Sequence, residues 1–393
     1  MPRIKNLLVP PTLILFGAYL ASGTPYAFYS PERSNNYLWG VYHVHSNMSD
    51  GLLPPEEIAR QARAAGVSLV LLTDHGSPNL ESSVFRKIID GVAIVGGSES
   101  QLPDGHLTFF GARELPRFNL SSFPPAAMDD ARTWGAFPVL AYPEDPRYGW
   151  RYWEADLRPS GIEILNLFTC LRSASMRDKI LLTLYYPFSR YYFLKSVSFS
   201  AKSIARWDEF LQRGKTWGLV ATDAHGGFHA GKWLTATLPS YEDAFSFVAL
   251  GINRRYSAEP EMAIRNGDFF NCVRGAGEPL LFEFFAAYGV EKFRSGSNAP
   301  AKSDLHVKIR TSNHEVRLVL KKGGVIQREI VGDSLDLPEV DPGVYRVECY
   351  LLGHPLLPSD VPWILSNPIF VGDSPRAALT SLRSNRSGNL EPF

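Results

Sequence analysis

The chain has 393 residues, enough for two or three domains, and its 45% hydrophobic and 20% charged residues are an ordinary globular balance. Lysine plus arginine equals aspartate plus glutamate at 40 each, so there is no basic excess to attract nucleic acid and no nucleic-acid partner is expected. Three scattered cysteines, Cys170, Cys272 and Cys349, make neither a disulfide framework nor a CxxC metal site and read as buried thiols.

In chain order, Arg3 and Lys5 precede an apolar run from Leu7 to about Gly23 that ends in the small residues Ala21, Ser22 and Gly23. A basic start, an apolar middle and a small-residue end predict a signal peptide or an N-terminal anchor over residues 1–23, and hence an exported protein. Pro10 and Pro11 interrupt the run, and it is short for a spanning helix.

From Tyr37 onward, short β-rich runs alternate with helical ones. "LWGVYHVHS" predicts a strand, and "PPEEIARQARAAG" a helix with prolines at its start and Gly66 as its stop. "VSLVLLTDH", "GVAIVGGSES" and "HLTFFGARE" follow as strands, then "PAAMDDARTWG" as a helix and "AFPVLAYP" as a strand. "GIEILNLF" is a strand, "SIARWDEFLQRG" a helix and "TWGLVATDAHG" the strand after it. Such alternation predicts an α/β fold with a mainly parallel sheet closed into a barrel over residues 37–278.

Lys179 to Phe199, within an insertion at 171–203, is dense in leucine, tyrosine and phenylalanine. It reads as a helical hairpin packed on the barrel, with a lid over an apolar substrate or a membrane-touching surface as the sharper alternative. Membrane contact through the N-terminus or residues 179–199 is the alternative this leaves open. Residues 279–372 hold short runs of period-two alternation separated by Gly, Asp and Pro turns, which predict a small antiparallel β-sandwich. The polar stretch 373–393 reads as a flexible tail.

The histidines carry the chemistry. His43 and His45 are two apart in a strand, so both rings face one side, and Asp50 follows in the next turn. His75 closes the second strand, Glu99 the third, His106 opens the next, and Asp223 and His225 end the last barrel strand. Strand ends of an alternating β/α barrel converge on one rim, where active sites are built. Carboxylates gathered in one cavity need positive charge, and imidazole with carboxylate but no thiolate suits Zn, Mn or Fe. The number of groups calls for at least two ions, with Glu99 suited to bridge them. His229 is a further candidate, for substrate or for support of a ligand, whereas His306, His314 and His354 read as surface residues. A G-x-S-x-G elbow and a phosphate-cradling glycine loop are both absent from the sequence.

"HVHSNMSDG", "LLTDHG", "GGSES" and "TDAHG", in this order, resemble the PHP (polymerase and histidinol phosphatase) superfamily of metal-dependent hydrolases over about Tyr37 to Gly275. The C-terminal β-region and "VPWILSNPIFVG" resemble its CehA/McbA-type branch. The resemblance implies a distorted (β/α)7 TIM-like barrel with up to three divalent ions. By it, His43 and His45 share one ion with Glu99 and Asp223; Asp50, His75 and His225 hold another; Glu99 and His106 serve the remaining one. Members carry a histidine in an "AHP" motif where this chain reads "LAYPEDPRYGW", with Tyr142 at that place. Tyrosinate ligation, a swing of Glu144 or Asp145 into the site, or a centre of only two metals are the open alternatives. Arg147 stands where an arginine often meets substrate, and Glu163 reads as a supporting residue. The implied activity is hydrolysis by a metal-activated water, with Asp223 or His106 moving the proton and Arg147 contacting the anion. A phosphoester is the first-choice substrate, with an apolar small-molecule ester favoured by the aromatic insertion. A carboxyl or carbamate ester is the alternative, and a metal-stabilised binding protein without catalysis is the rival class.

Overall fold

The structure is a computed structural model; it describes residues 29–230, 234–236 and 239–372. The expected signal peptide or anchor and the expected tail therefore lie outside the described residues.

Strand β1 (Tyr37–Val44) is almost wholly buried, as its run of aromatic and β-branched residues requires. Helix α1 (Pro55–Ala64) starts with proline at its first turn and buries Ile58, Ala59 and Ala62 on one face. Strand β2 (Leu69–Leu72) follows, then α2 (Leu80–Ser83), capped by the Asn79 side chain. Next come β3 (Arg86–Ile89), β4 (Val92–Val95), β5 (Gly97–Leu102) and β6 (Gly105–Phe110). Helix α3 (Pro124–Thr133) leads to β7 (Phe137–Ala141), and β8 (Gly161–Asn166) runs into α4 (Leu167–Ser173). After α5 (Met176–Tyr185) and α6 (Ala201–Arg213) comes β9 (Trp217–Ala221), then a hairpin of β10 (Phe228–Ala230) and β11 (Leu234–Ala236). Helix α7 (Tyr241–Phe247), β12 (Ala249–Asn253), α8 (Pro260–Asn266) and β13 (Phe269–Cys272) complete this part.

The expected barrel does not close into one hydrogen-bonded sheet. Strands β1, β2 and β4 pair in parallel in one sheet, and β7, β8 and β9 pair in parallel in a second, five-stranded one. Strand β6 is antiparallel to both β5 and β7, and β12 is antiparallel to both β1 and β13. The reason is partly connection length: β5 and β6 are joined by Pro103 and Asp104 alone, enough for a hairpin but far short of a parallel crossover. "GVAIVGGSES" is two strands rather than one, and the chain changes sheets at Gly96–Gly97. A Cβ on Gly96 would fall 1.8 Å from the Ser82 carbonyl oxygen, and one on Gly97 1.9 Å from that of Phe109, so only glycine passes there.

Two isolated parallel bridges join the sheets, Val44 with Ala224 and His75 with Glu99, both at the strand ends that carry the candidate ligands. Elsewhere side chains take over the role of strand pairing. The buried Asn271 amide accepts from Val220 N–H (2.8 Å) and donates to the Gly218 carbonyl (2.9 Å), while Asn367 Oδ1 accepts from Gly218 N–H (2.9 Å).

The C-terminal strands are β14 (Leu281–Tyr288), β15 (Glu291–Arg294), β16 (Asn298–Ala299), β17 (Asp304–Arg310) and β18 (Val316–Lys322). They continue as β19 (Val325–Val331), β20 (Ser334–Leu337), β21 (Gly343–Leu351), β22 (Ile364–Ser366) and β23 (Ile369–Val371). Strands β15, β14, β17 and β20 form an antiparallel sheet of their own. The others extend the β1 sheet, because β22 pairs with β13 through Phe270, Asn271 and Cys272. One buried ion cluster fixes α6 to this region. Arg346 makes two 2.8 Å bonds to Asp208 and one of 2.5 Å to Glu348, which also accepts from Lys321 (2.8 Å).

The aromatic insertion is α5 and a 3-10 turn at Arg190–Ser196. Tyr191, Phe193 and Leu194 are buried, and Phe193 stacks on Phe247 at 4.9 Å. On α5 only Leu182 is buried, leaving Met176, Ile180 and Leu184 exposed at spacings of four. Among the described residues no helix is long and apolar enough to cross a membrane. The three cysteines are free and buried, as expected.

His354 is not the surface residue expected. It is buried, its Nδ1 accepts from the Leu356 and Leu357 amides, and Nε2 lies 2.9 Å from the Tyr29 hydroxyl. Burial, reinforced by His314, pushes its pKa down to about 4.

Two predictions follow from these contacts. Arg346→Met leaves the part-buried Asp208 without its cation and the buried Glu348 with Lys321 alone, and is expected to cost about 3 kcal/mol in urea unfolding. His354 is neutral when folded, so its contribution is complete above a pH of about 6.5 and is lost as pH falls toward 4. The melting-temperature gap between wild type and His354→Asn, read by calorimetry, should therefore narrow over that interval.

Candidate metal centre

His43 interrupts β1 with a left-handed backbone (φ 64°), and the β1–β2 register shifts between Tyr42 and Val44. The two imidazoles therefore meet through a bulge rather than by simple alternation. His43 Nε2 and His45 Nε2 lie 3.1 and 3.3 Å from the same Glu99 Oε2, and 3.6 and 3.4 Å from Asp223 Oδ1. Tyr142 (φ 50°) and Asp223 (φ 49°) also sit left-handed, each just past a strand end. Three non-glycine residues in this conformation at one site mark backbone held against its preference, as functional sites often show.

A second group adjoins the first. His45, Asp50, His75 and His225 offer ligand atoms that all lie within 4.8 Å of one another, as do those of His43, His45 and Glu99. Asp50 lies 3.7 Å from His45 Nδ1, 3.6 Å from His75 Nε2 and 3.4 Å from His225 Nε2. Glu99 spans both groups, reaching His75 Nδ1 at 3.5 Å and His106 Nδ1 at 2.8 Å. Every histidine and carboxylate expected at the rim is thus in one place.

The charges explain one another. Burial opposes ionisation of Glu99, but His43, His106 and His45 overturn it and hold the carboxyl well below its usual range. Asp223 is likewise buried and held low by His43, His45 and His225. Burial would discharge His43, yet Asp223, Glu163 and Glu99 raise its pKa well above 6.5. Burial keeps His45 neutral, and the charges of His225 and His43 add to that. Burial opposes the charged forms of both His225 and Asp50; against it, Asp50 and Asp223 raise His225 to about 9, and the neighbouring histidines lower Asp50 to about 2.

Does this set fit metal ions? Both His45 nitrogens and Asp223 Oδ1 are buried with no hydrogen-bond partner. Unpaired buried polar atoms are costly, so these three ask for another partner. Two atoms bonded to one ion at about 2.1 Å stand about 3.0–3.4 Å apart, and His43 and His45 stand at 3.1 and 3.3 Å from Glu99 Oε2, with His45 at 3.4 Å from Asp223 Oδ1. The residues present fit divalent ions.

Supporting residues complete the centre. Glu163 Oε1 contacts His43 Nδ1 at 2.5 Å, leaving Nε2 to face the cluster, and Glu163 Oε2 accepts from Tyr142 N–H (3.0 Å) and Asn166 Nδ2 (3.1 Å). Sequence reasoning missed Asp74, although it lies in the "TDH" run. Its carboxylate accepts from Ser46 N–H and from the hydroxyls of Ser46, Ser49 and Ser82 at 2.7–2.9 Å, tying the loop before Asp50 to the end of β2. Gly51 permits that loop, since a Cβ there would sit 2.3 Å from the His45 carbonyl oxygen.

Tyr142, where the sequence resemblance led a histidine to be expected, lies inside the cluster. Its hydroxyl donates to Asp223 Oδ2 at 2.7 Å and lies 3.5 Å from His43 Nε2. Neither alternative carboxylate swings in. Glu144 pairs with Arg206, and Asp145 accepts from the Arg147 and Tyr148 amides, Thr169 and Arg172. Arg147 is exposed, its guanidinium over the Tyr148 ring, which in turn lies 5.2 Å from His106 and 5.8 Å from Tyr142. The Arg147 guanidinium thus flanks the cluster rather than entering it. The side chain of His229 lies outside the described residues.

No family model matches the sequence, and no curated protein matches it. Among solved structures, the chain is similar to a two-domain protein of Bacteroides vulgatus described as containing a predicted PHP-like metal-dependent phosphoesterase. Identity there is 14% and the TM-score 0.38, over 86% of this chain and 97% of that one. It is also similar to an amidohydrolase of Chromobacterium violaceum with bound sulfate and no metal, at 14% identity and a TM-score of 0.29 over 51% and 92%. A candidate metal-dependent phosphoesterase of Bifidobacterium adolescentis gives 13% and 0.29 over 60% and 98%.

Glu163→Gln removes the charge that orients His43 and should weaken divalent-ion binding about 10–100-fold. Calorimetric titration of the metal-free chain with Zn or Mn measures the change.

Proposed function

We propose that this chain is a metal-dependent hydrolase of the PHP type, most closely suited to phosphoesters. The observation that carries the reading is the set of unpaired buried atoms, His45 Nδ1 and Nε2 and Asp223 Oδ1, beside a carboxylate shared by several imidazoles. A distorted barrel is the finer reading of the fold, supported by the two bridges that join its halves at the ligand end.

Two groups of ligands that share His45, with Glu99 of one reaching His75 of the other, support a centre of at least two ions, with His43, His45, Glu99 and Asp223 on one side and Asp50, His75 and His225 on the other. Divalent ions held there would lower the pKa of a water from about 15.7 toward about 7 and offset the negative charge that develops on the substrate. The chain's own residues have distinct parts. Asp223 Oδ1, near both His45 and His225, would face the ions, which leaves Oδ2, the acceptor of the Tyr142 hydroxyl, to take a proton. His106, held by Glu99 and partly open to solvent, is a second proton carrier. Glu163 keeps His43 oriented, and Arg147 is available to an anionic substrate at the rim.

The chain is expected to hydrolyse p-nitrophenyl phosphate when loaded with Mn or Zn and to lose activity on chelation. His43→Ala should lower turnover by about a thousandfold or more with the circular-dichroism spectrum unchanged. Turnover of p-nitrophenyl carboxylates without phosphates would move the assignment to carboxyl esters. A fully metallated chain inert to both would favour a metal-stabilised binding protein. Tyr142→His should raise the number of ions bound per chain, read by elemental analysis.

A further inference from the structure

One side of the metal centre opens onto a cleft of about 440 Å³. Its ionisable wall residues, among those described, are Asp50, Asp223 and His225, all at the metal end. The remainder is formed by Leu167, Phe168 and Leu171 of α4, Phe193 of the 3-10 turn, and Ala244 and Phe247 of α7. The one other hydroxyl on this wall is spoken for, because Thr222 donates to the Tyr42 and His43 carbonyls. The apolar wall is also firm. Phe193 and Phe247 are buried and stacked at an interplanar angle of 19°. Phe168 is 44% exposed, with the Arg172 guanidinium over its ring, and Arg172 is held by Asp145. By contrast, the recess behind Tyr142, of about 230 Å³, is lined by Asn166, Thr169 and four serines and does not include the histidines.

A substrate bound at the metals must lay its non-reacting part along one of these surfaces. A polar group against the apolar wall would lose its water and find no side-chain partner there among the described residues. An apolar group would gain about fourfold in binding for each methylene covered.

We propose that the substrate is an anionic ester whose organic group is apolar, an aryl or medium-chain alkyl group seated on Phe168, Leu171, Phe193 and Phe247, with its charged head toward the ions that Asp50, Asp223 and His225 would hold. This assignment rests on the hydrolase reading and adds the substrate class to it. Leu171 then sets specificity without touching the reacting atoms.

The test compares hexyl phosphate with glycerol 3-phosphate on the metal-loaded full chain, alongside calorimetric binding of hexylphosphonate and methylphosphonate. The expected kcat/KM preference for the hexyl ester is about 100-fold. Leu171→Asp should lower the kcat/KM ratio of hexyl phosphate over methyl phosphate more than tenfold; Phe168→Ser, at the exposed mouth, provides a second variant with a weaker effect of the same sign. Equal kcat/KM for the two esters, or a hexyl preference untouched by both variants, would overturn the assignment and leave the hydrolase reading intact. If no ester is turned over but hexylphosphonate binds tighter than methylphosphonate in wild type and not in Leu171→Asp, the apolar seat stands and hydrolysis falls. No turnover together with no binding preference would remove both.

Discussion

Glu99, Glu163 and Asp223 each bring a buried carboxylate against the same imidazole, His43, and most of what surrounds them serves to make that tolerable. Buried charge of one sign is expensive unless positive charge and hydrogen bonds meet it. His43 is accordingly held protonated by its neighbours when no ion is near, whereas His45 stays neutral and unbonded. A divalent ion would replace that proton and satisfy the unbonded atoms at once. The left-handed backbones at His43, Tyr142 and Asp223 fall in the same place because each turns a side chain sharply inward at a strand end.

Much of the centre was legible in the sequence because strand ends are legible. Runs such as "VSLVLLTDH" and "TWGLVATDAHG" are apolar until they reach the ligands, and that boundary alone locates His75, Asp223 and His225. What the sequence could not convey was the pairing geometry. Alternation of strand and helix looks the same whether a strand joins its neighbours in parallel or in reverse, so the antiparallel β5, β6 and β12 were missed. The bulge at His43 was hidden for a similar reason, since a spacing of two suggests a flat pleat.

Long-range polar contacts were equally invisible. Asn271 and Asn367 sit in strands or turns as unremarked amides, yet their side chains complete hydrogen bonding along β9. Arg346 reads as a surface charge in an alternating strand, but Asp208, contributed by a helix 138 residues earlier, draws it inside. His354 shows the same limit, because its partner Tyr29 is 325 residues away.

The seam between the two large sheets is stitched at the ligand end by single residue pairs, and Glu99 belongs to one of them. Its backbone bonds Asp74 and Gly76 across the seam while its side chain faces the imidazoles. Glu99 therefore rivets the seam with its backbone while its side chain serves the imidazole cluster. An ion held by that side chain would couple its own binding free energy to the apposition of the two sheets.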